Sequence, residues 1–205
     1  MIKEVVPIVI WLVCYILYHH LYLHITTKYP SRTKKGRIDG CIKSWIKEVV
    51  EGKHYLLVTH QIRNMIMTIT FLASTSLILM GLLVNFSDIR KEIVSFPEPL
   101  DEETYIIWTI VFALGYTFLN LILSLRHLNN FNTLIAAEKS MIDKIENLDS
   151  LSYLETLFIK GSHRFMIGRR GFLYSIVVLS WYIDDWLFVG LTILLTLMLS
   201  YQHDW

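Results

Sequence analysis

Four apolar runs, Val5–Ile25, Met65–Val84, Tyr105–Leu125 and Gly171–Ser200, constrain this chain more than any other feature. The first three have about the length that carries an α-helix across ~30 Å of hydrocarbon at ~1.5 Å per residue. Inside lipid each backbone amide must be bonded within the segment, so such spans are helical. Hydrophobic residues make up 54% of the 205 and charged ones only 18%, lean for a soluble domain. The sequence therefore predicts an all-α fold, a polytopic membrane bundle of four transmembrane helices with cytoplasmic helical extensions. The spans fall at about 5–25, 56–86, 104–126 and 171–200 of a single domain covering 1–205.

The first run reads as a retained span rather than a cleaved leader, because Lys3 is followed by Glu4 and no small-residue cleavage site closes it. The fourth is longer than a crossing needs, and its only charges are Asp184 and Asp185. One continuous or kinked span is expected there; the alternative is a break at "IDDW" that turns the chain back as a re-entrant hairpin. Cys14 and Cys41 have neither disulfide-framework nor zinc-type spacing.

The net charge of +1 conceals an asymmetry. Nine of the 19 Lys and Arg lie in residues 28–63 and seven in residues 126–170. The connection 87–103 instead carries Asp88, Glu92, Glu98, Asp101, Glu102 and Glu103 against Arg90 and Lys91. Basic residues accumulate on the cytoplasmic side. The sequence thus predicts a multi-pass membrane protein with loops 26–54 and 127–170 inside, the acidic loop 87–103 outside, and both termini outside.

Two cytoplasmic segments carry helical periodicity. In 38–54, Ile38, Ile42, Trp45, Ile46, Val49 and Val50 recur at helical spacing with lysines on other faces. That suits either a helix lying in the headgroup layer or one packed beneath the bundle. Segment 130–165 is helix-compatible with mixed charge, and Gly161, Gly168 and Gly171 punctuate the approach to the fourth span.

Polar groups retained in lipid need partners or a purpose. Gln61, Asn64, Thr68 and Thr75 fall on one face of the second helix, and Arg63, Thr70, Ser74 and Gly81 form a neighbouring stripe. On the third helix Asn120, Ser124 and His127 share a face, with Thr117 close by. Such groups serve either as helix-packing hydrogen bonds or as the lining of a watery pathway. Arg63 and Arg126 stand at the cytoplasmic edges of their spans, where long cations reach lipid phosphates or join a polar clamp. Short amides cannot reach so far, so Asn64, Gln61 and Asn120 are expected to point inward as a clamp between helices two and three. Asp184 and Asp185 read either as a cation- or proton-binding position or as a headgroup-level helix break. His19, His20, His24, His54, His60, His127 and His163 gather near the cytoplasmic ends, where imidazoles ligate haem or metal in other bundles. No metal-type pair accompanies them, and no cofactor is expected.

The run "QIRNMIMTITFLASTSLIL", followed later by "HRFMIGRRGFLYSIVVLSW", resembles the membrane-protein family catalogued as domain of unknown function 599. A Gln-x-x-Arg-Asn start to the second span and an Arg/Gly-rich start to the last recur in that family. The matching positions are Gln61, Arg63 and Asn64, with one residue fewer between Gln and Arg, and then Arg164, Gly168, Tyr174 and Trp181. Where the family pattern has a Gly-Pro type of break after the late Trp, this chain has Asp184-Asp185. The resemblance implies four spans and draws attention to Gln61, Arg63 and Asn64; it implies no activity.

From the residues, the leading expectation is an oligomeric, cation-selective ion channel or ion-translocating protein and not an enzyme. A protomer of four spans has little room for an internal pathway, so a pore would form between copies. Its pathway candidates are Asp184, Asp185, Gln61, Asn64, Thr68, Asn120 and Ser124; its partners are the bilayer, inorganic ions and further copies, with no nucleic acid. One alternative is a haem- or metal-binding redox protein using the cytoplasmic-side histidines. The other is a non-catalytic membrane organiser that binds anionic lipid or a partner through 38–54.

Overall fold

The computed structural model describes residues 2–86, 102–146 and 149–201. Most of the acidic connection, residues 87–101, lies outside the described residues. Among these there is no strand, and eight α-helices account for the fold. They are α1 Ile2–Leu12, α2 Tyr18–Lys28, α3 Lys34–Gly52, α4 Tyr55–Phe86, α5 Glu102–Leu134, α6 Lys139–Glu146, α7 Ser150–Val178 and α8 Asp185–Leu199. A π-helical turn, Val13–Leu17, joins α1 to α2 without ending the rod. Three helices are long and apolar enough to cross a membrane: Val6–Lys28, Tyr55–Asn85 and Thr104–Leu134.

Helices α5 and α7 form the spine. Gly161 and Gly168 of α7 let the backbones close. A Cβ on Gly168 would stand 2.6 Å from Leu121 Cδ2, and one on Gly161 would stand 2.9 Å from Leu128 Cγ. Small residues permit this tight crossing in apolar bundles, where dispersion rather than water exclusion drives association. The glycines therefore do not punctuate the approach to a span; they sit inside one continuous helix.

Two apolar cores divide the bundle. One, at the end rich in Lys and Arg, joins Ile46, Val49 and Val50 of α3 to Val58 and Ile62 of α4, Leu128 and Phe131 of α5, and Leu154 and Leu157 of α7. The other, at the opposite end, gathers Trp11, Tyr15, Ile110, Leu114, Tyr174, Trp181 and Phe188. Only 17% of the most apolar stretch of α4 is buried, against 50% for α5. Phe71, Ile78, Leu119, Trp186 and Leu194 all point away from the protein. So much outward apolar surface on continuous helices suits acyl chains rather than water.

The run 171–200 is not one helix. Helix α7 ends at Val178, a 3₁₀ turn covers Leu179–Tyr182, and α8 begins at Asp185. The Tyr174 hydroxyl lies 2.7 Å from Thr196 Oγ1, so α8 folds back along the end of α7 as a hairpin. With 15 residues, α8 measures about 22 Å, short of a full crossing. In place of a continuous or kinked helix the chain breaks and reverses, and it leaves α8 running back along α7.

Candidate functional site

At the basic end a cleft of about 290 Å³ opens between the start of α3 and the middle of α7. Thr33 caps α3, its Oγ1 accepting from Gly36 N–H at 3.1 Å. Gly36 packs directly on Pro30: a Cβ there would collide with the Pro30 carbonyl oxygen. This tuck directs Lys34, Lys35 and Ile38 at α7. Helix α7 answers with Ser162, Phe165, Met166, Arg169 and Arg170, the i, i+3, i+4, i+7, i+8 stripe of a single face. Met65 of α4 closes one side.

Four of the nine lining residues are Lys or Arg and none is Asp or Glu. Arg170 is 2% exposed, with its guanidinium 5.5 Å from the centre of the Tyr22 ring. Arg169 lies 5.8 Å over Phe165. Behind the cleft, Asp39 takes a hydrogen bond from Lys35 on one oxygen and sits 2.7 Å from His163 Nε2 on the other. Lys35 also donates to Ser162 Oγ at 2.9 Å. Burial alone pushes the Asp39 carboxyl up, but the hydrogen bonds from His163 and Lys35 outweigh it and hold the group below the usual carboxylate range. Chemically the cleft is an anion site with an apolar rim: a cluster of donors that complements phosphate oxygens beside Ile38, Met65, Phe165 and Met166.

A family model described as "Protein of unknown function, DUF599" matches residues 6–205. The chain belongs to the DUF599 family. Neither the comparison with curated proteins nor that with solved structures finds a match.

In this DUF599 chain the residues singled out by sequence fall into three groups. Gln61, Asn64 and Thr68 of α4 are exposed, and Thr68 Oγ1 donates to the Asn64 carbonyl at 3.1 Å. The inward clamp between the second and third apolar helices is therefore not formed by these side chains. The reason is depth. Helix α4 has 32 residues, about 48 Å, and its Val58 and Ile62 pack with Leu128 and Phe131, beyond Arg126. The amides sit toward the end of the helix that runs past the charge-free stretch. Arg63 and Arg126 are likewise exposed.

Asn120 and Ser124 are buried and do form a clamp, but with α7. Asn120 Oδ1 accepts from Arg164 Nη1 at 2.9 Å while its Nδ2 donates to the Tyr116 carbonyl at 2.8 Å. Ser124 Oγ donates to the Gly161 carbonyl at 2.7 Å. At the hairpin, Asp184 Oδ1 accepts from Leu187 N–H at 2.9 Å as the N-cap of α8, and Trp181 Nε1 donates to Asp185 at 2.6 Å. The resemblance positions Arg164, Gly168, Tyr174 and Trp181 thus each hold one joint of the bundle.

Three of the histidines are held apart on separate partners. His19 Nδ1 donates to the Tyr15 carbonyl at 2.7 Å, His20 meets the Tyr116 hydroxyl at 2.7 Å, and His163 meets Asp39. Among the described residues no three His, Cys, Asp or Glu side chains are grouped to hold a metal. Sequence reading passed over Lys34, Lys35, Asp39, Ser162, Arg169 and Arg170. The paired cations "KK" and "RR" were visible, but only the fold brings them to one cleft.

Proposed function

We propose that this protein is an anionic-lipid-binding membrane protein whose basic cleft holds a phosphate headgroup on the cytoplasmic side. The observation that carries this is the cleft itself, with Lys34, Lys35, Arg169 and Arg170 around a space bordered by Met65, Phe165 and Ile38. A phosphate meets the donors while the first methylenes of its chains lie on the apolar rim. The concentration of Lys and Arg at this end supports its cytoplasmic placement, and juxtamembrane cations attract anionic lipid. The reading refines the organiser alternative, moving its seat from the exposed face of α3 to the α3–α7 groove. The test is binding of phosphatidylglycerol against phosphatidylcholine to the full chain in detergent. Phosphatidylglycerol binds preferentially, and Lys34→Ala with Arg169→Ala weakens it by roughly tenfold or more, since charge-assisted hydrogen bonds are lost. Equal binding of both lipids overturns the reading.

A second reading, cation conduction by a homo-oligomer, is favoured by one observation. Gln61, Asn64 and Thr68 lie on a face of α4 that no other helix among the described residues covers, and further copies would line a path with them. Asp184 and Asp185 stand at the opposite end as cation attractors in that scheme. Its test is ion flux into liposomes holding the native chain or Asp184→Asn with Asp185→Asn. Native flux equal to that of empty vesicles removes it.

A further inference from the structure

Lys35 contributes to the cleft, yet it is held from behind by a carboxylate that is itself shared with an imidazole. The three side chains are all largely enclosed, with exposures of 12% for Lys35, 12% for Asp39 and 15% for His163. Asp39 therefore divides its charge between two partners in a place where water screens little.

The charge of His163 alters that division. With a neutral imidazole the trio carries one positive and one negative charge, so Asp39 offsets the charge that Lys35 brings to the cleft. With an imidazolium, His163 and Asp39 form their own ion pair and Lys35 is released to the cleft. Imidazole is the side-chain type that makes this change between pH 5 and 8. Resting on the cleft as a phosphate site, we propose that Lys35, Asp39 and His163 form a proton-operated latch that strengthens anion binding as the cytoplasmic-side pH falls.

The neighbouring helices bring further charged groups to this region. On α3 these are Lys34 and Lys43, the latter 3.7 Å from Glu155 of α7. On α7 they are Glu155, Lys160, Arg164, Arg169 and Arg170. From α5 come Arg126 and a second titratable group, His127, which lies among Lys160, Arg164 and Arg126 rather than at Asp39. From α4 the cleft receives Met65, and from α2 the Tyr22 ring lies by Arg170. His127 is a rival proton site, and it serves as the control.

The experiment titrates short-chain phosphatidylglycerol into the full chain in zwitterionic nanodiscs between pH 8 and pH 5.5. A phosphodiester keeps its single negative charge throughout, so the ligand does not contribute to the profile. One added positive charge near the anion strengthens binding on the order of tenfold. The wild type gains about that factor on acidification. His163→Gln, whose amide still donates to Asp39, binds with a flat profile, and His127→Gln keeps the wild-type slope. Asp39→Asn binds at pH 8 as the wild type does at pH 5.5. Binding by the wild type with no pH dependence overturns the latch and leaves the cleft standing, as does a slope that survives in His163→Gln. Failure to bind at any pH overturns the cleft, and the latch with it. Inorganic phosphate competing as well as the lipid overturns the lipid as ligand and makes it free phosphate; because phosphate itself takes up a proton in this interval, the pH series is then run with sulfate, whose charge is fixed.

Discussion

Tyr174 and Thr196 meet hydroxyl to hydroxyl at 2.7 Å although 22 residues of chain separate them. This bond ties α8 back to α7 and turns the last apolar run into a hairpin. Interhelical hydrogen bonds in apolar surroundings are worth on average about 0.6 kcal/mol, and up to about 1.7. Tyr174→Phe and Thr196→Val are each expected to lower stability within that range, and the double variant to lose little more than either single one. A double-mutant cycle read by thermal unfolding in detergent measures the coupling. Fully additive losses would mean that the two hydroxyls do not bond.

The α5–α7 seam makes a sharper prediction. Gly168→Ala places a methyl 2.6 Å from the Leu121 side chain and is expected to cost about 1–3 kcal/mol through overpacking. Gly190→Ala on α8 meets nothing within 4 Å and is expected to be neutral, or stabilising by up to about 1 kcal/mol, because alanine suits a helix better. Melting temperatures of the two variants, compared in the same detergent, check the contrast.

What could be read from sequence follows from how local each signal is. Apolar length is a local property, and it pointed to an all-α chain with long apolar helices. The periodicity of Gln61, Asn64 and Thr68 defined a shared face but not its depth, because depth depends on where Val58 and Ile62 pack against α5. Asp184 and Asp185 read the same in sequence whether they bind a cation or start a helix; that they open α8 is visible only once the Tyr174–Thr196 bond shows the chain reversing. The cleft was least legible. Lys35 and Ser162 are 127 residues apart, and nothing within either segment announces the other.

Asp184 offers a direct test of its structural role. Its side chain caps α8 through the Leu187 N–H. Asp184→Ala is expected to destabilise the hairpin by about 1 kcal/mol, whereas Asp184→Ser, also a good cap, is expected to stay near the wild type. Thermal unfolding of both variants distinguishes a cap from a group retained for its charge, which serine would not replace.

Asp39 sets the acid limb of stability. Its folded value lies below the ordinary carboxylate range of about 4, because the hydrogen bonds from His163 and Lys35 favour the ionised form over the opposing effect of burial. A group depressed in this way stabilises the fold above its unfolded value, and the contribution is lost as pH falls through the folded one. The stability advantage of the wild type over Asp39→Asn is therefore expected at pH 7 and still at pH 5, shrinking only below about pH 4. Denaturation of both proteins across that series tests the sign. An advantage that grows below pH 4 would mean that the carboxyl is held protonated, and Lys35 would then already be free.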